Sequence, residues 1–139
     1  LEYSYDPNAE AIGVAAAAAL GLAPGLVFKT LIAALDGGEL VSVVIPSDAR
    51  LSLKALAQAA GTKRAEMADP AKAERATGYV VGGISPLGQK RRLRCFLDAG
   101  AGDLPEIVVN GGRRGLQIAA EPHALAAALG ARLHPLVAA

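Results

Sequence analysis

The sequence of 139 residues predicts one α+β domain, in which a mixed, mostly antiparallel β-sheet is flanked by several helices. Two observations support this prediction. Short apolar stretches bounded by Gly, Pro and Asp are typical of strands, and Ala-rich stretches that begin at a capping residue and end at a glycine are typical of helices. The length suits a single core, because a chain of this size buries roughly two-thirds of its unfolded surface.

The first third of the chain predicts a helix followed by a β-hairpin. Residues 6–20 open with the helix-start signal Asp-Pro-Asn and continue in good helix formers. Residues 27–35 are nearly all apolar, which predicts a strand that is buried on both faces. The turn at residues 36–38, Asp-Gly-Gly, joins this strand to a second strand over residues 40–45.

The remainder predicts short helices and short strands in alternation. Ser52 caps a helix that Gly61 ends, and Asp69 caps another helix that begins at Pro70 and ends at Thr77. A Gly-rich loop, four strands and a last helix complete the chain. The loop is predicted at residues 80–87 and the helix at residues 121–129. The four strands are predicted at residues 64–67, 93–97, 106–109 and 116–119.

Composition excludes several classes of protein. Five aromatic residues and no Trp argue against a base-stacking platform, which needs several exposed rings. No apolar run approaches the ~20 residues of a membrane span, and no signal peptide opens the chain, so we expect a cytoplasmic protein without membrane contact. The single cysteine, Cys95, excludes an internal disulfide and a thiolate-only zinc site. Because the chain begins with Leu1 rather than Met, we expect that a short N-terminal segment is missing.

The net charge of +1 hides an uneven distribution of basic residues. Residues 86–97 contain four basic side chains and no acid, and two further basic pairs lie elsewhere in the chain. Such clusters can contact phosphates, although an ordinary solvated surface explains them equally well. They are Lys90, Arg91, Arg92 and Arg94, then Arg113 with Arg114, and Lys63 with Arg64.

The usual catalytic and metal-binding motifs are largely absent. His123 and His134 have no Asp, Glu or Cys at metal-ligand spacing, and His134 precedes Pro135 in a stretch that resembles a tail. Cys95 lies within an apolar strand, which favours a packed thiol over a nucleophile. We therefore expect no metal and no cofactor, and an enzyme built on this sequence would work without an obvious protein nucleophile.

Lys29 is the most informative single residue. It interrupts an apolar strand, in phase with Val27 and Leu31. Because burial of an unpaired ammonium costs several kcal/mol, this lysine must extend to water, find a counter-charge, or line a pocket for an anionic ligand. The sequence alone leaves these alternatives open.

Two Gly-rich loops add to this pattern. Residues 78–88 carry four glycines and no charge, and residues 110–115 form a second Gly-rich loop with two arginines. Glycines allow backbone amides to approach a ligand closely and to point at developing negative charge. Together with Lys29, the loops predict a pocket for a substrate that bears phosphate or ribose.

Four motifs resemble those of the YbaK/EbsC family of Cys-tRNA(Pro) deacylases, in family order and over essentially the whole chain. The segment 82–90, Gly-Gly-Ile-Ser-Pro-Leu-Gly-Gln-Lys, is the most specific. The resemblance implies a barrel-like core and trans-editing, in which cysteine attached by mistake to tRNA(Pro) is removed by hydrolysis. Family members are thought to use the thiol of the substrate itself, which fits the absence of an obvious protein nucleophile in this sequence. The motifs lie at residues 27–31, 66–70, 77–90 and 111–116.

The resemblance also implies roles for individual residues. Lys29 and Gly82 are expected to be catalytic, by stabilising negative charge around the ester. The substrate-binding positions are Tyr3, Thr30, Gly83, Ser85, Asn110, Gly111 and Gly112. Charge alone adds Arg91, Arg92, Arg94 and Arg113 as residues that bind tRNA. Asn110 and Gln117 depart from the family pattern, in which a small hydroxyl residue and an acidic residue are common.

The expected partners are the acceptor end of tRNA(Pro) and prolyl-tRNA synthetase, for a protein that acts as a monomer. The sequence leaves three other functions open. They are a deacylase for Ala-tRNA(Pro) or another mischarged tRNA, a non-catalytic binder of RNA or nucleotides, and a binder of small phosphorylated metabolites.

Overall fold

The computed structural model describes residues 20–138, which contain three α-helices and seven β-strands. The helices are α1 Leu53–Ala60, α2 Pro70–Thr77 and α3 Pro122–Leu129, and two 3-10 helices lie at Pro24–Leu26 and Ala99–Asp103. The strands are β1 Phe28–Leu35, β2 Leu40–Pro46, β3 Ala65–Met67, β4 Arg94–Asp98, β5 Ile107–Asn110, β6 Gln117–Ala120 and β7 Arg132–His134. The helix predicted over residues 6–20 lies outside the described residues except for Leu20.

Five of the strands form one sheet in the order β3-β1-β2-β4-β7, and β5 and β6 form a second, antiparallel sheet. The β3-β1-β2 part is antiparallel, whereas β2, β4 and β7 run parallel. An isolated bridge between Val27 and Val108 connects the two sheets. The prediction of a mixed, mostly antiparallel α+β fold is confirmed, but over residues 20–138 the sheets do not close into a barrel.

The core lies on both faces of the central strands. Alternate residues of β2 point to opposite faces, so that Val41, Val43 and Ile45 pack toward α1 while Val44 packs toward α3 and the second sheet. In β1, Lys29 and Leu31 are only half-buried, so the prediction that this strand is buried on both faces is wrong for its first half.

Local signals correctly predicted the helix ends. The Ser52 hydroxyl accepts a hydrogen bond from Ala55 N (3.1 Å), and the Asp69 carboxylate accepts one from Lys72 N (3.3 Å). Gly61 and Gly78 end these two helices in the left-handed conformation. The tail predicted around His134 is wrong, because residues 132–134 pair with β4 as strand β7.

The pairing of β1 with β3 positions the candidate site. β3 pairs with β1 only from Ala33 to Leu35, and Ala68 N donates a last hydrogen bond to Ile32 O (3.0 Å). On this edge, no described strand of the five-stranded sheet covers residues 29–31. On this edge the first half of β1 therefore has no β3 partner, and it borders an open space.

Candidate functional site

A cavity of about 580 Å³ lies at this uncovered edge of β1. Its wall combines the start of β1, the end of β3, the helix α2, the loop at residues 80–84 and the adjoining ends of β5 and β6. The polar side chains on this wall are Lys29, Thr30, Ser47, Asn110 and Gln117, and the other lining residues are Val27, Phe28, Leu31, Ile32, Met67, Ala68, Pro70, Ala73, Val81, Gly82 and Ile84.

Lys29 brings a positive charge to this mostly apolar wall. Partial burial lowers its pKa, and attraction to the exposed Asp48 only partly opposes that effect. Within residues 20–138, no carboxylate lies within ion-pair distance of the Lys29 ammonium. The ammonium thus loses hydration without gaining a direct carboxylate partner from the described residues, and an anionic group in the cavity would restore the lost interaction.

Thr30 supplies a hydroxyl to the same wall. The side chain is 9% exposed, and its Oγ1 has no hydrogen-bond partner in the part of the chain that the structure describes. A buried hydroxyl without a partner costs about 1–3 kcal/mol. A polar group of a ligand would remove this cost.

Gly82 lies in a tight turn of the Gly-rich loop. Gly83 N donates to Val80 O (2.8 Å), and Gly82 has φ of +89°, which together define a type II turn that requires glycine at this position. Arg114 Nη2 donates to Val81 O (2.9 Å), while Val81 N donates to Glu74 Oε2 (2.9 Å). The Val81 carbonyl is directed at Arg114, so the Gly82 amide on the same trans peptide points away from Arg114.

Asn110 joins the two Gly-rich loops. Its Nδ2 donates to Gly82 O (3.4 Å) and to Arg113 O (3.2 Å), and its Oδ1 accepts from Gly112 N (2.7 Å). The residue is 7% exposed, so these contacts are shielded from water. Although Asn110 borders the cavity, most of its hydrogen-bonding capacity is used in holding the loops together.

Four other predicted binding residues pack the loops together and do not line the cavity. A Cβ at Gly83 would lie 2.9 Å from Arg114 N, and one at Gly111 would lie 2.7 Å from Leu116 Cγ. Gly112 packs against the ring of Tyr79, whose hydroxyl donates to Leu87 O (2.7 Å). The Ser85 hydroxyl is buried and accepts from Leu87 N (3.1 Å). Tyr3 lies outside the described residues.

The predicted tRNA-binding arginines also lie away from the cavity. Arg91, Arg92 and Arg94 border a second groove of about 910 Å³, whereas Arg113 is exposed on the loop that follows β5 and borders neither space. Arg94 forms a two-pronged ion pair with Glu39, through Nε–Oε2 (2.9 Å) and Nη2–Oε1 (3.0 Å). Its charge is therefore already compensated.

Sequence reasoning missed several residues that shape the site. Met67 and Ala68 form one border of the cavity, Ile84 forms part of its apolar wall, and Glu74 and Arg114 hold the turn at Gly82. All of them except Glu74 lie within the motifs that carry the family resemblance, but nothing in those motifs assigned them a place in a cavity. Their roles follow from contacts between segments that are far apart in the sequence.

The described residues offer little other reactive chemistry. Burial raises the pKa of the Cys95 thiol to about 11, which confirms a packed thiol rather than a nucleophile. Between residues 20 and 138, no cluster of three or more His, Cys, Asp or Glu side chains is suited to hold a metal ion. No helix in the same range is long and apolar enough to cross a membrane.

Comparisons with known proteins point in one direction. The family model described as aminoacyl-tRNA editing domain matches residues 6–128. EbsC of Enterococcus faecalis, a proposed Cys-tRNA(Pro)/Cys-tRNA(Cys) deacylase, is 39% identical over 109 residues, which span 78% of this chain and 66% of EbsC. Proline-tRNA ligase of Brachyspira hyodysenteriae is 29% identical over 85 residues, which are 61% of this chain and 15% of the ligase.

The fold has a counterpart among solved structures. A proposed trans-editing enzyme for prolyl-tRNA synthetase superposes with a TM-score of 0.88 at 25% sequence identity. The match covers 100% of this chain and 85% of the other. This chain therefore shares its fold with a protein that has been proposed to act in trans-editing.

Proposed function

The chain belongs to the aminoacyl-tRNA editing domain family, and on that premise we propose that it hydrolyses mischarged aminoacyl-tRNA, removing cysteine from tRNA(Pro). One structural observation supports this proposal above the others. The half-buried ammonium of Lys29 has no direct carboxylate partner among the described residues, and it shares a largely apolar cavity with the Gly82 turn. Such a cavity suits a substrate with an anionic end and a small side chain.

In this proposal each cavity residue has a separate role. Lys29 attracts the negative charge of the terminal nucleotide and of the ester oxygen as the carbonyl is attacked. The Gly82 amide is a second donor for that oxygen. The Thr30 hydroxyl gains the hydrogen-bond partner that it lacks among residues 20–138. The apolar wall, which includes Ile32 and Ile84, contacts the small side chain.

The chemistry that we propose uses the thiol of the substrate. After its proton passes to water, the cysteine thiolate attacks the ester carbonyl carbon, a C–S bond forms, and the ester C–O bond breaks. The ribose oxygen leaves with a proton, and water then opens the resulting β-thiolactone to free cysteine. The cavity wall contains no Cys, His, Asp or Glu among the described residues, so this route needs only positioning and charge stabilisation from the protein.

The experiment is hydrolysis of a panel of mischarged tRNA(Pro), carrying cysteine, alanine or serine. We expect rapid hydrolysis of the cysteinyl ester and slow hydrolysis of the other two, because only cysteine has a thiol. Equal rates for cysteine and alanine would exclude the thiol mechanism. Lys54→Ala, which removes an exposed lysine of α1 that does not line the cavity, is the matched control for variants of Lys29.

One observation favours a second candidate, hydrolysis of Ala-tRNA(Pro). Most of the cavity wall is apolar, and such a wall separates small side chains poorly. In that case water replaces the thiol as nucleophile, and the alanyl ester is hydrolysed as fast as the cysteinyl ester.

The cellular setting belongs to the same proposal. We place the protein in the cytoplasm, as a monomer that meets the acceptor end of tRNA(Pro) after prolyl-tRNA synthetase has released it or while the synthetase is still near. The likeness to a segment of proline-tRNA ligase supports a link to this tRNA.

A further inference from the structure

A second groove adjoins the cavity, and the proposed reaction at Lys29 and Gly82 does not use it. Its volume is about 910 Å³, and Met67 and Ala68 border both spaces. Met67 is 47% exposed at this shared border. A polymeric ligand whose end lies in the cavity can therefore continue over residues 67–68 into the groove without crossing the protein core.

One wall of the groove is basic because two segments meet there. Lys72 and Arg75 lie three residues apart on α2 and so project from neighbouring positions of the same face. Arg91 N donates to Ala76 O (2.9 Å) and Lys90 N donates to Thr77 O (2.8 Å), which holds the loop at residues 90–92 against the end of α2. Arg91 and Arg92 are thereby placed in the same groove as Lys72 and Arg75.

The charge of the groove is positive overall. Six basic residues and four acidic residues border it. Arg94 and Glu39 neutralise each other in their ion pair, and Asp69 caps α2 through Lys72 N. The other two acids are Asp36, on the β1–β2 turn, and Glu66, on β3. Arg64 lies just before β3, on the same part of the wall as these two acids. The excess of positive charge therefore lies along α2 and residues 91–92.

We propose that this groove binds the phosphodiester backbone of the RNA strand that leads to the terminal nucleotide, with Lys72, Arg75, Arg91 and Arg92 as its phosphate contacts. The inference rests on the proposed function, because it takes the end of the strand to lie in the cavity with Lys29. It extends the predicted interface to two residues of α2. It also excludes two arginines from the predicted tRNA interface: Arg94, which is paired with Glu39, and Arg113, which borders neither the cavity nor the groove.

The test compares two substrates that share the ester but differ in their phosphates. One is Cys-tRNA(Pro), and the other is the cysteinyl ester of adenosine, which has no phosphodiester. We expect Lys72→Ala/Arg75→Ala and Arg91→Ala/Arg92→Ala each to raise KM for the tRNA roughly tenfold at low salt, with little change in kcat. Hydrolysis of the adenosine ester should be unchanged. The control Lys54→Ala/Arg132→Ala removes two exposed charges that border neither space.

Salt dependence gives an independent readout. Loss of two phosphate contacts from a single strand should reduce the slope of log affinity against log salt by about 1.4. An unchanged KM and an unchanged slope in both double variants would overturn the groove proposal. If the wild type hydrolyses neither substrate, the proposed function fails instead. The groove is then judged by binding of uncharged tRNA(Pro), where equal salt slopes for wild type and variants overturn it.

Discussion

The cavity and the groove beside it handle charge in opposite ways. In the cavity, one partly dehydrated ammonium stands on a mostly apolar wall and has no direct carboxylate partner among the described residues. In the groove, ten charged side chains share a wide, hydrated surface, and one pair of them is already neutralised. Because a charge acts more strongly where water is excluded, one lysine in the cavity should matter more than several arginines in the groove.

Replacing Lys29 should produce the largest change. We expect Lys29→Ala to lower kcat/KM for Cys-tRNA(Pro) at least tenfold, about 1.4 kcal/mol or more of lost transition-state stabilisation. The fold should remain intact, because the ammonium has no ion pair within residues 20–138 to lose. Initial rates together with a thermal unfolding curve measure both quantities. Turnover at the wild-type rate would show that this charge takes no part in catalysis.

The variant Asn110→Ala tests whether stability and activity require the hydrogen bonds between the two Gly-rich loops. Asn110→Ala removes three partly buried hydrogen bonds and leaves their partners in the loops unsatisfied, so we expect a loss of roughly 2–3 kcal/mol in the free energy of unfolding. Activity should fall as well, since the Gly82 turn loses one of its supports. Urea unfolding of the variant gives the first value. A variant with wild-type stability would mean that the loops hold their positions without Asn110.

Gly82 tests the turn itself, and Gly61 provides a matched control. Both glycines have positive φ, +89° and +77°, so alanine at either position should cost about 1 kcal/mol in stability. Gly61 ends α1 and borders neither space. We expect Gly82→Ala to lower kcat severalfold while Gly61→Ala leaves kcat unchanged. Equal kcat values for the two variants would remove the Gly82 turn from the reaction.

Replacing Arg94 should have the smallest effect, and it tests whether an arginine that is already paired contributes to binding in the groove. Because Glu39 already compensates its charge, we expect Arg94→Ala to change tRNA affinity less than Arg91→Ala does. The exposed ion pair should contribute only about 0.2–1 kcal/mol to stability. Equilibrium binding of tRNA to the two single variants, side by side, checks this order. A larger loss for Arg94→Ala would mean that the ion pair opens to bind phosphate.

Prediction from the sequence was most successful where a signal is local. The caps Ser52 and Asp69 and the terminal glycines Gly61 and Gly78 define their helices through contacts within a few residues, and these helices were predicted correctly. The strand β7 was missed because residues 132–134 carry little apolar pattern and become a strand only by pairing with β4. Lys29 was singled out because a charge in an apolar strand requires an explanation, and the structure places it in the cavity.

Sequence alone therefore determined the α+β class, the helix ends and the family resemblance, since each depends on residues that are neighbours along the chain. Tertiary structure decided where β3 stops pairing with β1, and that end point leaves space for the cavity beside Lys29. It also paired Arg94 with Glu39, 55 residues away, and joined Asn110 to the turn at Gly82 across 28 residues. Such contacts arise when distant segments pack together, and no local pattern of residue types encodes which segments meet.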